Sequence, residues 1–129
     1  MAEIQEFLQN SFSLEGLSSE LAEGLSALAR PMKIGAGTIL FENGDPGNGC
    51  YAVLEGSLKV SILSVDGDEQ LLAVLGPGDL VGELALLDGR PRSATVSALK
   101  AANLAFIDKA AFERFADANP AVYRHMLSI

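Results

Sequence analysis

An acidic side chain and an arginine lie nine residues apart in the stretch GELALLDGRPRSAT, which covers residues 82–95. Good helix formers at positions 83–87 stand between Gly82 and Gly89, and this pattern predicts a single helical turn. The start of such a turn exposes backbone N–H groups that carry partial positive charge, and Gly82 has no Cβ to keep a ligand away. We therefore predict an anion site at Gly82, with the guanidinium of Arg92 folding back to the same anion.

Glu83 is an unexpected neighbour for this anion, because a carboxylate repels a bound phosphate unless it binds a donor of its own. A sugar hydroxyl is such a donor. A phosphate on the helical turn and Arg92, with a ribose hydroxyl on Glu83, describes a nucleotide whose phosphate lies close to its own ribose. A cyclic nucleotide has that arrangement. The competing interpretation is a salt bridge between Glu83 and Arg92 across a loop, which would contribute little free energy at a surface.

The elements around this segment have the pattern of a mainly β domain. Short apolar runs (TILF, YAVL, SLKVSIL, QLLAVL, ATVSAL and NLAFI) are separated by the turn signals ENGDPGNG, EG, VDGDE, GPGD and DGRP. In SLKVSIL the apolar residues from Leu58 to Ile62 alternate with polar ones, which predicts a strand that turns Ser57, Lys59 and Ser61 to water. Asp66-Gly67 suits a tight hairpin turn. Strands of this length and spacing indicate an antiparallel, jelly-roll-like β-roll.

Helices are predicted on both sides of the β-roll. Leucines at helical spacing predict a helix from about Ser18 to Ala29, with Ser18 as its N-cap. Asp108 is placed to cap a second helix over KAAFERFADA, and Pro120 restarts a third. We expect a single domain over residues 1–129, with a helical amino end to about residue 30, the β-roll over about 31–108 and closing helices over about 109–129.

Composition narrows the class of function. Of the 129 residues 49% are hydrophobic, which is enough for the core of one domain. The net charge of −8 repels a phosphate backbone, so we expect no direct contact of this segment with nucleic acid. One cysteine, Cys50, and one histidine, His125, are too few for a multi-ligand metal, haem or iron–sulfur site. We therefore predict no metal, no cofactor and no catalytic residue.

The amino end predicts neither export nor insertion into a membrane. MAEIQEFLQN carries two acids and no lysine or arginine ahead of an apolar block, unlike a secretory signal. The uninterrupted apolar runs are far shorter than the roughly 18 residues that span a bilayer. A lone cysteine cannot form an internal disulfide. We expect a cytoplasmic protein without membrane insertion.

The central stretch, extended to GELALLDGRPRSATV, resembles the phosphate-binding cassette of the cyclic nucleotide-binding domain family. The resemblance continues in GTILFENGDPGNGCYAVLEGSLKV, GPGDLVGELAL and FERFADANP, and so covers the chain from about residue 12 to its end. It is nearest in general character to the catabolite-activator branch, which includes the fumarate and nitrate reduction regulators.

The resemblance implies a role for each residue of the site. Arg92 would pair with the cyclic phosphate, Glu83 would accept the ribose 2′-hydroxyl, and Ser93 would add a hydroxyl near the phosphate or the base. Three neighbouring residues would offer backbone contacts: Gly82, Leu84 and Ala85. Four strand residues would form the wall of the ligand pocket: Val60, Leu72, Ala73 and Leu75.

The implied activity is sensing and not catalysis, with cAMP as the expected ligand and cGMP as the alternative. In activators of this family the last helix continues as a dimer interface and leads to a helix-turn-helix. Here NPAVYRHMLSI begins an amphipathic helix with Val122, Met126 and Ile129 on one side. We expect the allosteric sensor module of a transcription regulator, cut from a longer chain and lacking its DNA-binding domain. Any homodimer would use the apolar side of this last helix.

Two other functions remain open. The same pocket would serve the regulatory module of a cyclic nucleotide-regulated ion channel or kinase, which the flanking sequence would distinguish. A stand-alone interaction domain whose cassette no longer binds nucleotide is the other alternative, and titration with cyclic nucleotides separates it from the first two.

Overall fold

The computed structural model describes residues 19–82 and 89–127. These residues form helix α1 (Ser19–Ala27), strands β1 (Arg30–Ile34), β2 (Ile39–Phe41), β3 (Gly49–Leu63), β4 (Glu69–Leu75), β5 (Leu80–Val81) and β6 (Thr95–Asp108), and helices α2 (Lys109–Ala118) and α3 (Ala121–Leu127). The predicted fold class, a mainly antiparallel β domain with helices at both ends, is confirmed. None of the helices within the described ranges has the length and apolarity that a membrane span requires.

The two long strands, β3 and β6, form the centre of the sheet. The strand order is β1-β6-β3-β4, with β2 also paired to β6 and β5 to β3, and every pairing is antiparallel. The β3–β6 register runs from Gly49 opposite Asp108 to Ser61 opposite Thr95. The end of β6 and the start of β3 are therefore side by side, where α2 begins.

Continuity of the long strands corrects the predicted element boundaries. YAVL and SLKVSIL were predicted as two strands with a turn at EG, but they belong to one strand, β3, and ATVSAL and NLAFI likewise belong to β6. Gly56 has a positive φ of 88°, and the register shifts on both sides of Glu55. A Cβ at Gly56 would collide with the carbonyl oxygen of Ala101, so glycine allows a bend here without ending the pairing.

A second irregularity lies in β4, where it pairs with the end of β3. Val60 pairs with Ala73 and Ser61 with Leu71, which leaves Leu72 as an extra residue in β4. Leu58 is buried, as predicted, but Ser61 is only 5% exposed. The prediction that Ser61 faces water is therefore wrong, although the β3–β6 register runs without a shift from Leu58 to Ser61. The predicted turn at Asp66-Gly67 is confirmed, with Gly67 N donating to Ser64 O at 2.9 Å.

The helices begin close to the predicted positions. Helix α1 ends at Ala27, two residues before the predicted end, and its predicted cap, Ser18, lies outside the described residues. Asp108 caps α2 as predicted, since its Oδ2 accepts a hydrogen bond from Ala111 N at 3.0 Å. Helix α3 begins directly after Pro120, also as predicted.

Two buried clusters stabilise the domain. One packs the helices on the ends of β3 and β6 through Leu25, Phe112 and Val122, and the other fills the β-roll around Val53, Leu58, Val96 and Leu104. Val122 has an exposed fraction of 0%. It belongs to this chain's own core, so the prediction that it lies on a surface available to a second copy is wrong. The side chains of Met126 and Ile129 lie outside the described residues.

Candidate ligand-binding site

Arg92 lies between β5 and β6, and its side chain turns into the protein, with 6% of its surface exposed. Its backbone is fixed at both polar groups. Arg92 N donates to Asp45 O at 2.7 Å, and Arg92 O accepts from Gly44 N at 2.7 Å. The turn before β3, which the sequence presents only as a turn, therefore holds the backbone of the predicted anion-binding residue.

The guanidinium is held by uncharged groups. Its Nη2 donates to the carbonyl oxygen of Gly49 at 2.6 Å and to Oδ1 of Asn48 at 3.1 Å. Its Cζ lies 4.2 Å from the ring centroid of Phe41 and 6.0 Å from that of Tyr51. The two hydrogen bonds from Nη2 and the Phe41 ring next to Cζ fix the orientation of the guanidinium.

The side chain of Arg92 also has a buried N–H group that these two hydrogen bonds do not use. Arg92 Nε is buried and has no hydrogen-bond acceptor among the described residues. Burial lowers the pKa of Arg92, and the effect is opposed by the nearby phenol of Tyr51, by Cys50 and by the Asp45 carboxylate. An arginine nevertheless stays protonated in proteins. A desolvated cation is costly when one of its N–H groups finds no acceptor, and Nε finds none among residues 19–82 and 89–127.

Gly82 lies beside this cation. Its φ is +79°, and a Cβ there would collide with Arg92 Nη1. The sequence predicts that the missing Cβ makes room for a ligand; in the structure it makes room for the guanidinium itself. Gly82 and Arg92 thus lie next to each other, as the predicted return of the chain requires.

The other predicted site residues fall into three groups. Glu83, Leu84 and Ala85 lie outside the described residues. Ser93 lies within the described residues, and its side chain is exposed. The predicted wall residues lie on β3 and β4: Val60, Leu72, Ala73 and Leu75.

Three of these wall residues pack inward and one does not. Val60 and Leu75 pack against the cluster inside the β-roll, and Ala73 is partly buried opposite Val60. Leu72 is 55% exposed. Leu72 is the extra residue of the bulge and does not pack inward with the other three, and its place in the pocket wall stays a prediction.

The site is in direct contact with the start of α2. Asn48, whose side chain accepts from Arg92, also accepts through its backbone oxygen from Lys109 N at 2.9 Å. The Lys109 side chain lies against Gly89 and pairs with Glu113 one turn along the helix. Lys109, the first residue of α2, therefore contacts both Asn48, which holds Arg92, and Gly89, which ends the segment after Gly82.

Sequence reasoning missed the groups that hold the arginine: Phe41, Asn48, Gly49 and Tyr51. Gly49 in particular was interpreted as a plain turn former, and this is wrong, since it is buried at the start of β3 and its carbonyl accepts from Arg92. The sequence carries only a general signal for these groups. A buried arginine needs acceptors and a flat surface, and ENGDPGNGCY supplies carbonyls, an amide and a ring near each other.

Comparison with known proteins shows the family of this chain. The sequence model of the cyclic nucleotide-binding domain matches residues 31–119. Over 126 residues the chain is 25% identical to the CRP-like cAMP-activated global transcriptional regulator of Mycobacterium tuberculosis, covering 98% of this chain. The match takes in 56% of that regulator, so the chain spans little more than half of its length.

Two solved structures share the fold. The N-terminal domain of a transcriptional regulator from Streptomyces coelicolor A3(2) superposes with a TM-score of 0.86 at 34% identity, covering 95% of this chain and 85% of that one. The regulatory domain of Toxoplasma gondii PKA, crystallised with cAMP, superposes with a TM-score of 0.81 at 35% identity, covering 93% and 46%. From its sequence match and its fold, the chain belongs to the cyclic nucleotide-binding domain family.

Proposed function

We propose that this chain binds cAMP and acts as the allosteric sensor module of a cytoplasmic transcription regulator. The observation that carries the proposal is the buried guanidinium of Arg92, whose Nε has no acceptor in the part of the chain that the structure describes. A phosphodiester anion would supply that acceptor and offset the cost of burying the charge. Relatives that are transcriptional regulators support the output, and a relative crystallised with cAMP supports the ligand.

Each part of the ligand has its own proposed contacts. Arg92 pairs with the cyclic phosphate, Glu83 accepts the ribose 2′-hydroxyl, and Ser93 adds a hydroxyl. Three residues give backbone contacts: Gly82, Leu84 and Ala85. Val60, Ala73 and Leu75 form the inner wall, with Leu72 at its exposed edge. The domain binds and signals without forming or breaking a covalent bond.

We propose that residues 1–129 form one domain and that helices α2 and α3 carry the signal. The contact of Asn48 with both Arg92 and Lys109 supports this choice, since signalling requires that the ligand favour one of two arrangements of a connected element. A homodimer through α3 would have to use the part of the helix beyond Val122, because Val122 is buried in the chain's own core. The DNA-binding part of the regulator would lie in a longer chain.

Isothermal titration with cAMP, cGMP and a cyclic dinucleotide tests the proposal. We expect saturable binding of cAMP, stronger than that of the other two. Arg92→Lys keeps the charge but loses the planar fork, and a charge-assisted hydrogen bond is worth about 1.5 to 3 kcal/mol, so the affinity should fall by about ten- to over a hundredfold. The matched control is Arg114→Lys on the exposed side of α2, which should leave the affinity unchanged. Flat titrations with all three nucleotides would favour the stand-alone interaction domain.

The regulatory module of a kinase is the second candidate. The 35% identity to the regulatory domain of Toxoplasma gondii PKA favours it. It would use the same pocket with another output, so binding alone does not separate the two. The sequence that flanks this domain does, because a helix-turn-helix after α3 indicates the transcription regulator.

A further inference from the structure

Two aromatic rings lie against the guanidinium of Arg92. The Phe41 ring centroid is 4.2 Å from Cζ and the Tyr51 centroid 6.0 Å from it, and the two ring centroids are 6.0 Å apart. Behind them Phe106 packs on Tyr51, with centroids 4.8 Å apart. Phe41 therefore makes the close ring contact, and Tyr51 lies at the outer limit of a cation–π interaction.

The ring stabilises the cation without neutralising it. The face of an aromatic ring attracts a cation through its quadrupole and carries no net charge. The polar partners of the guanidinium, the Asn48 amide and the Gly49 carbonyl, are also uncharged, and no carboxylate forms an ion pair with Arg92 among residues 19–82 and 89–127. Arg92 thus has a fixed position and forms no ion pair within the described ranges, the two properties that a binding site for an anion needs.

We infer that Phe41 is a positioning residue for the anion-binding arginine, an inference that rests on the proposed function of Arg92. An arginine side chain has many rotamers, and a buried one gains hydration by swinging out to water. The Phe41 ring removes that advantage by giving the guanidinium a favourable surface inside the protein. Without the ring, a ligand would have to draw the side chain back and desolvate it, so the affinity for a charged ligand would fall.

The test compares three variants: Phe41→Leu, which removes the ring, Phe41→Tyr, which retains it, and Phe106→Leu, which removes a ring that touches Tyr51 but has no stacking contact with Arg92. Titration with cAMP should show a loss of about 5- to 30-fold for Phe41→Leu, the range that a desolvated cation–π contact supplies. Phe41→Tyr and Phe106→Leu should bind nearly as well as the parent chain. Should Phe41→Leu fail to fold, Phe41→Met takes its place.

An uncharged ligand separates positioning from a general structural role. The methyl phosphotriester of cAMP keeps the sugar and base but has no negative charge, so its binding should fall much less in Phe41→Leu than that of cAMP. Equal losses for cAMP and for the triester would overturn the inference, because they would indicate a deformed pocket.

A ligand-free measurement keeps this inference distinct from the proposed function. In ¹H–¹⁵N NMR spectra the Arg92 Nε–H should exchange with water more slowly than those of the exposed Arg30 and Arg114, and Phe41→Leu should speed that exchange toward theirs. An Arg92 exchange rate that does not change in Phe41→Leu overturns the inference. If the parent chain binds no cyclic nucleotide, the proposed function fails, and the NMR result still decides whether Phe41 positions the arginine.

Discussion

Asn48 accepts a hydrogen bond from Arg92 across 44 positions of the chain, with Nη2 and Oδ1 3.1 Å apart. The backbone oxygen of Asn48 also accepts from Lys109 N, the first residue of α2, at 2.9 Å. The residue that orients the arginine therefore also fixes the beginning of the closing helices. A displacement of Arg92 would therefore be passed to the start of α2 through Asn48.

Asn48→Ala should lower the free energy of unfolding by about 1.5 kcal/mol, because the variant removes an acceptor from a buried charged donor. Urea denaturation measures the loss. Asn103→Ala is the matched control, since the Asn103 amide also bonds to a side chain, Glu55 Oε2 at 2.9 Å, but at the exposed surface. We expect a clearly smaller loss there. Equal losses for the two variants would mean that the burial of the Arg92 contact contributes nothing.

Gly82→Ala should weaken cAMP binding as well as stability. The new Cβ would meet Arg92 Nη1 and would also occupy a backbone conformation with φ of +79°. Gly67→Ala at the β3–β4 turn is a close control, because φ is +86° there but nothing lies within 4 Å of the added Cβ. A left-handed conformation costs a residue with a Cβ about 1 to 2 kcal/mol, so both variants should lose about that much in urea denaturation. Titration should show weaker cAMP binding for Gly82→Ala alone, and unchanged binding by that variant would contradict the assignment of Arg92 to the ligand.

Glu83→Ala should weaken the binding of cAMP more than that of 2′-deoxy-cAMP. Glu83 lies outside the described residues, and its proposed role rests on the chemistry of a carboxylate beside a phosphate, which needs a hydroxyl donor to be tolerated. The deoxy ligand lacks that hydroxyl and has no bond to lose. Parallel titrations of both ligands with the parent and the variant give the comparison, and equal losses would remove the ribose role from Glu83.

The helices and the position of Arg92 beside Gly82 could be predicted from the sequence because their signals are local. Asp108 caps the helix that follows it directly, and Gly82 lies in the same short segment as Arg92. The strand boundaries could not be predicted, since a glycine inside a strand gives the same signal as a glycine in a turn. Gly56 continues β3 only because β6 pairs with β3 on both sides of it. Phe41 and Asn48 were missed for a similar reason. Their contact with Arg92 depends on pairings between distant strands, which no short window of sequence contains.

Tyr51, the second ring near Arg92, should make the stability of the domain fall in alkaline solution. Burial raises the pKa of Tyr51 above its ordinary value near 10, although the Arg92 charge opposes the shift. Above pH 10 the unfolded chain loses the phenolic proton while the folded chain keeps it, so the contribution is complete below that pH and is lost as the pH rises through the folded pKa. Tyr51→Phe should reduce the decline in the free energy of unfolding, measured by urea denaturation from pH 9 upward.

Tyr123 is the control for this measurement, because its pKa is raised as well, by desolvation and by its hydrogen bond to Asp117. Part of the decline should therefore remain in Tyr51→Phe, and the double variant with Tyr123→Phe should show a still smaller decline. A decline of the same slope in the parent and in Tyr51→Phe would show that the Tyr51 phenol ionises equally in the folded and unfolded chain.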